Sequence, residues 1–430
     1  MKKYKIGVFG AGRGADIARN FAALGCEITA ICDFNEMRLG NVKDWFTDNP
    51  TMYSNFDEFI EHDMDAVILG NFFHEHAPYA IRCMEKGIHV FSECISNGTM
   101  AEGVELIRAS EKYPDVVYFL AENYPQMIFN REMQRVVKTG TLGKLIYAEG
   151  EYNHPGDPDD LGFKRTYNYY TKHWRNYCST TYYITHSLGP VMRATGATPK
   201  VVTAFAAYAP LEGDHPHAGN SGDRAAIITT QNDDGSIFRV TGCATFGGHH
   251  NAYRICGTEG QIENLRGMGG KIMLRYNGWT KPEDMEEVNC YDPSWNDPDE
   301  QKIIESGHGG ADYITARMFL ECIEEGRQPE HPFHVHSAVA MSSVAILAHR
   351  SMLEGGKPYE IPDFHTEEAR KQYENDRLTI FWRPDGKEPD LPCCSHPDYR
   401  PTEKQMAMYQ EVFGQYEEKF TELHRAALKL

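Results

Sequence analysis

The chain has 430 residues, with 43 Lys and Arg against 62 Asp and Glu, a formal net charge of −19. That balance argues against a surface for nucleic acid or anionic membrane, and no apolar stretch is long enough to span a bilayer. The length implies two domains rather than one core.

The first forty residues carry a strong local signal. Residues 4–9 are short, apolar and β-prone. Gly10-Ala11-Gly12-Arg13-Gly14-Ala15 follows at once, and Ile17, Ala18, Phe21, Ala22 and Leu24 then recur at helical spacing. A second apolar run, 28–32, ends on Asp33. Strand, glycine turn, helix, strand and acid is the order in which a dinucleotide is held. In this reading Gly10 makes the tight turn and Gly12 lets the backbone approach the pyrophosphate. Arg13 and Gly14 open the helix whose N–H groups receive it, and Ala15 is the small residue where helix meets strand. Asp33 stands about twenty residues on, where a carboxylate accepts from the ribose 2′-OH and repels a 2′-phosphate. NAD is expected over NADP, and Arg38 is near enough to soften that preference.

The alternation continues through a strand at 65–70, a helix at 76–86 stopped by Gly87, and a strand at 88–91 that runs into Ser92-Glu93. A last strand at 116–120 leads to Glu122-Asn123. Strands alternating with helices predict a parallel, doubly wound sheet over residues 1–124. Ligands bind beyond the carboxyl ends of such strands. Asn71, Phe72, His76, Glu93 and Asn123 therefore join the glycine turn as candidate cofactor residues.

From 125 to 364 the pattern is α+β. A helix at 127–138 precedes strands at 145–152, 201–209, 225–231, 236–245, 253–257 and 271–276, with Asn232-Asp233-Asp234-Gly235 as a hairpin turn. Helices at 310–325 and 335–353 follow, each closed by glycine, then an extended exit at 361–364. The expectation is a large, mainly antiparallel sheet that binds substrate and mediates assembly. Residues 365–430 read as an extension with a Pro-rich stretch at 383–402. It ends in a long helix with Tyr409, Val412, Phe413, Tyr416, Phe420, Leu423 and Ala427 on one stripe. The eleven cysteines are scattered and odd in number, and the Met1-Lys2-Lys3 start leads into a run broken by Gly7 and Gly10. Free thiols and a cytoplasmic location are expected. No histidine pair has metal-ligand spacing, so no metal is expected.

Several motifs together resemble the glucose–fructose oxidoreductase / inositol dehydrogenase (Gfo/Idh/MocA) family over residues 3–364. They are Gly10-Ala11-Gly12, Asp33, His76 before a helix, Gly87-Ile88-His89-Val90-Phe91-Ser92-Glu93, Tyr253-Arg254-Ile255-Cys256-Gly257-Thr258-Glu259-Gly260, and the Gly326 and Pro329 helix exit. The resemblance implies NAD(P) and a sugar or cyclitol substrate. Two positions depart from it. Cys94-Ile95 stands where the family commonly has Lys-Pro, and Tyr182 stands where dehydrogenases have an aspartate four residues before His186.

The departing stretch is similar to a narrower branch, the NAD-dependent glycosidases typified by α-N-acetylgalactosaminidase. The similar segments are Glu122-Asn123, Tyr152-Asn153-His154, Trp174-Arg175, the stretch from Tyr183 to Pro190, and Gly307-His308-Gly309-Gly310 with Asp312. That likeness implies NAD+ used and regenerated within one turnover. Oxidising C3 of a sugar acidifies the C2–H, a base removes that proton, the C1 substituent leaves, water adds and the ketone is reduced back. By this likeness His186 or Tyr183 takes the carbinol proton, Tyr152 works at C2, and Glu122 orients the nicotinamide ribose or a sugar hydroxyl. His154, Trp174 and Arg175 bind substrate. Trp174 offers a ring face, and a phenol beside a cationic nicotinamide is lowered in pKa. The partners implied are a small-molecule sugar or glycoside and further copies of the chain as dimer or tetramer. A plain sugar or cyclitol dehydrogenase and a non-catalytic NAD sensor of the same fold remain open at this point.

Overall fold

The computed structural model describes residues 4–157, 160, 170–213, 215–217, 219 and 222–414. Strands β1 (Lys5–Phe9), β2 (Glu27–Cys32), β3 (Thr51–Tyr53), β4 (Ala66–Leu69), β5 (His89–Ser92) and β6 (Tyr118–Leu120) form one sheet. Its order is β3-β2-β1-β4-β5-β6, with every pairing parallel. The strands are short and buried on both faces, so they read as continuous apolar runs. Gly10 has φ 102°, and a Cβ there would meet the Gly70 oxygen at 2.2 Å. Only glycine makes that turn. The close approach of helix and sheet is made by Gly14 rather than Ala15: a Cβ on Gly70 would lie 2.7 Å from the Gly14 Cα.

The second sheet contains β7 (Leu145–Asn153), β8 (Pro199–Tyr208), β9 (Asp223–Asn232), β10 (Ile237–Ala244), β11 (His250–Gly257), β12 (Gly260–Asn264), β13 (Ile272–Tyr276), β14 (Val288–Tyr291) and β15 (Tyr359–Glu360). Its order is β14-β13-β12-β11-β7-β10-β9-β8-β15. Within this sheet, only the β7–β10 pair is parallel among the described strands. The predicted hairpin turn joins β9 to β10 in antiparallel register.

Three strands escape the sequence reading. β3, β12 and β14 carry little apolar alternation and exist because an edge is there to pair with, as β12 does between β11 and β13. The exit at 361–364 is not a strand. The strand ends at Glu360 with one further bond, from the Ile361 N–H to the Lys200 carbonyl at 2.8 Å, and Pro362 brings no N–H to extend it.

Two helices join the halves. Val335–Leu353 lies on β8 and on the helix Met100–Lys112, while Ala311–Glu325 packs against the helix Arg13–Ala23. Phe319 and Phe333 thereby enter the aromatic core of the first sheet. Phe119 stacks on Phe333 at 5.0 Å, and Phe21 meets Phe91 edge-on at 5.2 Å. Burying each such ring is worth about 1.5–3 kcal/mol. In the extension, the helix Glu403–Phe413 buries Tyr409 and Phe413, and the Asn176 amide donates to the Tyr409 hydroxyl at 3.1 Å. Tyr416, Phe420, Leu423 and Ala427 lie outside the described residues. No described helix is long and apolar enough to cross a membrane.

Candidate active site

At the carboxyl ends of β1 and β2, Asp33 braces the glycine turn. Its Oδ2 accepts from the Ala11 N–H and its Oδ1 from the Asn35 N–H, both at 2.8 Å. Burial pushes the Asp33 carboxyl up, against Arg38 and the two N–H donors. A Cβ at Gly12 would stand 3.0 Å from Arg38 Nη1, so Arg38 lies across this turn. His76 begins the helix after β4 and points inward. Its Nδ1 pairs with the Ile95 carbonyl at 2.8 Å, and burial lowers its pKa. A neutral ring with Nδ1–H donating leaves Nε2 as an acceptor. Among the described residues that Nε2 and the Asn71 Oδ1 are both buried without a partner. Buried polar atoms normally have partners. These orphans, with the close-approach glycines and Asp33, fit a polar dinucleotide. Phe72 is buried beside them, edge-on to Phe34 at 5.2 Å and His173 at 5.1 Å.

The Arg13 guanidinium is committed elsewhere. Nε donates to Glu93 Oε1 at 2.8 Å, and Nη2 and Nη1 donate to the two Asp312 oxygens at 2.7 and 2.9 Å. Asn123 Nδ2 donates to the same carboxylate at 2.6 Å, and His308 Nδ1 lies 3.0 Å away. Burial alone would raise Asp312. Hydrogen bonds from His308 and Arg13 overcome it and hold the carboxyl far below the usual range. Arg13 and Asn123 thus tie the helix starting at Ala311 to the glycine turn.

At the end of β6, Glu122 is fully buried and meets His186. Nδ1 is 2.9 Å from Oε1 and 3.0 Å from Oε2. The Tyr124 N–H donates to Oε1 at 3.1 Å and the Cys94 thiol to Oε2 at 3.3 Å. Burial would raise Glu122; His186, Thr185 and Cys94 reverse that and keep it ionised. The close contact requires Gly189 on the helix Thr185–Thr195, where a Cβ would meet Glu122 Cγ at 2.7 Å. The His186 ring stacks on Tyr124 at 4.0 Å, with Tyr152 edge-on at 4.9 Å and Tyr183 at 5.3 Å. Among the described residues its Nε2 makes no hydrogen bond, so the carboxylate fixes the tautomer and leaves Nε2 a base. Burial pushes the Tyr152 and Tyr183 phenols and the Cys94 thiol well up, so all three are neutral donors without a ligand.

Trp174 departs from expectation. It is 8% exposed, stacked on Phe73 at 4.8 Å, with Arg175 over its ring at 4.4 Å. Phe73 stacks in turn on Tyr183 at 5.5 Å. Trp174 is therefore a wall behind Tyr183, not an open platform. His154 is exposed at the rim, edge-on to Tyr152 at 5.7 Å and to His249 at 4.6 Å. Burial, then His249, His186 and Arg175, lower its pKa.

The structure thus gathers Glu122, Tyr152, His154, Trp174, Arg175, Tyr183 and His186 into one site beside the glycine turn. Sequence reasoning singles out the segments 71–76 and 122–124 by position but gives Phe73 and Tyr124 no role, and it misses the packing at Gly189 and the thiol contact of Cys94. Tyr124 and Phe73 lie just past strand ends, the positional signal that marks their segments.

Comparison with known proteins agrees with this arrangement. Residues 4–120 match the oxidoreductase family model for the NAD-binding Rossmann fold, and 130–263 match the GFO/IDH/MocA C-terminal domain. Residues 212–371 match the glycosyl hydrolase 109 C-terminal domain. A glycosyl hydrolase family 109 protein from Solibacter usitatus (strain Ellin6076) is 26% identical over 401 residues, covering 84% of this chain and 88% of that one. One from Shewanella sp. (strain W3-18-1) is 25% identical over 409 residues, 85% of each. Among solved structures, levoglucosan dehydrogenase in complex with NADH and L-sorbose has a TM-score of 0.69 at 17% identity, with 84% of this chain and 100% of that chain covered. Myo-inositol 2-dehydrogenase from Lactobacillus plantarum has a TM-score of 0.62 at 18% identity, with the same coverage.

Proposed function

The chain belongs to the Gfo/Idh/MocA oxidoreductase family and is an NAD-dependent enzyme, and from that premise we propose that it cleaves glycosides without net redox change, through oxidation at C3 of the sugar. The observation that carries this reading is the buried Glu122–His186 pair at 2.9 Å, bonded by Cys94, which stands where the family has its lysine. The glycosyl hydrolase 109 match and the similarly named relatives support it.

When bound, NAD+ supplies the acceptor for the C3 hydride and returns it at the end of turnover. His186 Nε2, held by Glu122, takes the C3 hydroxyl proton as the carbonyl forms. A ketone at C3 makes the C2–H acidic. Tyr152 would pass its own proton to solvent while the cofactor is still the oxidised cation, before hydride transfer, and then takes the C2 proton as a phenolate. The C1–O bond breaks with its electron pair on the leaving group, water adds at C1, and Tyr152 returns the proton to C2. Tyr183 and the exposed His154 hold sugar hydroxyls, Arg175 binds at the rim, and Trp174 with Phe73 backs Tyr183. His76, Asn71, Phe72 and Glu93 line the nicotinamide side, and Asp33 takes the ribose.

We further propose a homo-oligomer in the cytoplasm. On the nine-stranded sheet, exposed Phe205 and Ile227 face each other across β8 and β9, with exposed Ile237 on β10. None of the eleven cysteines is in a disulfide.

The test is a panel of aryl glycosides with catalytic NAD+, following aglycone and NADH together. Aglycone without net NADH supports the reading. NADH in step with a keto-sugar product makes the enzyme a plain sugar or cyclitol dehydrogenase instead.

A further inference from the structure

A cavity of about 340 Å3 opens between the helices Ile128–Lys138 and Ala311–Glu325, lined on one side by Gln126 of the segment that begins at Tyr124. Most cations in its wall are already matched. Arg135 pairs with Glu132 at 2.7 Å, Arg193 with Glu330 at 2.8 Å, and Arg317 with Asp297 at 2.8 Å. Glu321 is the carboxylate of the lining, 4.0 Å from Arg317.

Arg131 and Lys138 are different. Among the described residues neither side chain has an ion pair or hydrogen bond. Arg131 lies over the Trp295 ring at 4.3 Å, and the Trp295 indole N–H is buried with no partner among the described residues. Gln126 is 5% exposed, and its amide likewise has no hydrogen bond among those residues. A guanidinium, an ammonium, an indole N–H and an amide thus line one cavity without acceptors, an arrangement that asks for an anion. Burial and the neighbouring Arg317 also lower Arg131, against Asp297, as expected for a cation short of a counter-charge. Two cations whose neighbouring carboxylates, Asp297 and Glu330, are already held by Arg317 and Arg193 match a dianion, and a phosphomonoester carries roughly −1.5 to −2 at neutral pH.

We propose that this cavity binds a small phosphomonoester-class dianion, at a site separate from the NAD and sugar sites. The test uses the full chain saturated with NAD, which keeps phosphate from the glycine turn. Inorganic phosphate is titrated calorimetrically at ionic strength held constant with chloride, on wild type, Arg131→Gln and Lys138→Gln. The expected result is saturable binding to wild type, weakened about tenfold or more by Arg131→Gln and measurably by Lys138→Gln. The rise in melting temperature with NAD should be intact in both. Lys138 is exposed, so its variant carries the test if Arg131→Gln loses that NAD response. Absence of phosphate binding, or binding unchanged in the folded variants, overturns the proposal. So does a changed oligomeric mass of the variants without phosphate binding, which assigns the patch to contacts between copies.

Discussion

Two buried polar clusters stand at the same edge of the six-stranded sheet and are built to opposite ends. Around Arg13, the carboxylates of Glu93 and Asp312 meet a guanidinium that does not release its proton, and every strong charge has a partner. Around Glu122, one carboxylate faces a neutral thiol and an imidazole, a ring with a nitrogen that can give and a nitrogen that can take a proton. The first cluster can only hold position. The second can move a proton. Placing them side by side fixes the helix that carries Asp312 against the turn and leaves chemistry to the pair.

The strongest way to break this comparison is at the pair. His186→Ala should cut turnover by about a hundred- to ten-thousand-fold, and Glu122→Gln by a comparable factor through the wrong tautomer. Both should keep the rise in melting temperature with NAD. Turnover within a few-fold of wild type for either variant would remove the pair from the chemistry.

Asp312→Ala should do the reverse. Breaking a buried ion pair costs about 3–5 kcal/mol, and the third-exposed Arg13 side chain reduces this to about 2–3 kcal/mol. Denaturant melts should show that loss. NAD affinity should fall more than the rate at saturating NAD. The sign with pH follows from a carboxyl held low in the folded state. Its contribution is complete above the ordinary aspartate range and fades only as pH drops below it.

A third buried group separates stability from activity. His349 pairs with Ser179 Oγ at 3.0 Å and with the Pro392 carbonyl at 2.8 Å, tying the extension to the body. Burial lowers it from its ordinary 6.5 to about 4. The unfolded chain therefore binds the proton first. Stability should fall as pH drops from 6.5 toward 4, by about 1.4 kcal/mol per unit at most. His349→Gln should flatten that slope and leave the pH dependence of turnover unchanged.

The smallest expected effect is at the ribose. NAD should raise the melting temperature more than NADP at equal concentration, and Asp33→Ala should shrink the difference. Equal stabilisation by both nucleotides in wild type would contradict the role given to Asp33.

What could be read from the sequence follows the same division. The glycine turn, Asp33 and the alternating strands are local: a few neighbouring residues specify the turn, and the parallel sheet follows from the alternation. Glu122 and His186 were visible as positions, one at a strand end and one in a motif. That they bond each other was not, because it depends on Gly189 letting a helix from the second half close over the first. Trp174 looked like a platform in sequence because nothing in the chain order puts Phe73 against its ring. The side-chain role of Arg13 was not legible because Asp312 is remote in sequence and near only in space. The short strands β12 and β14 failed for a related reason, since their stability comes from the neighbours they pair with.

The central claim is that the site runs an elimination and not a simple oxidation. Turnover of a cleavable glycoside in D2O, with the released sugar analysed by NMR, tests it directly. The account predicts deuterium at C2 of the product with no accumulation of NADH. Product without label at C2, with NADH formed in step, would contradict it.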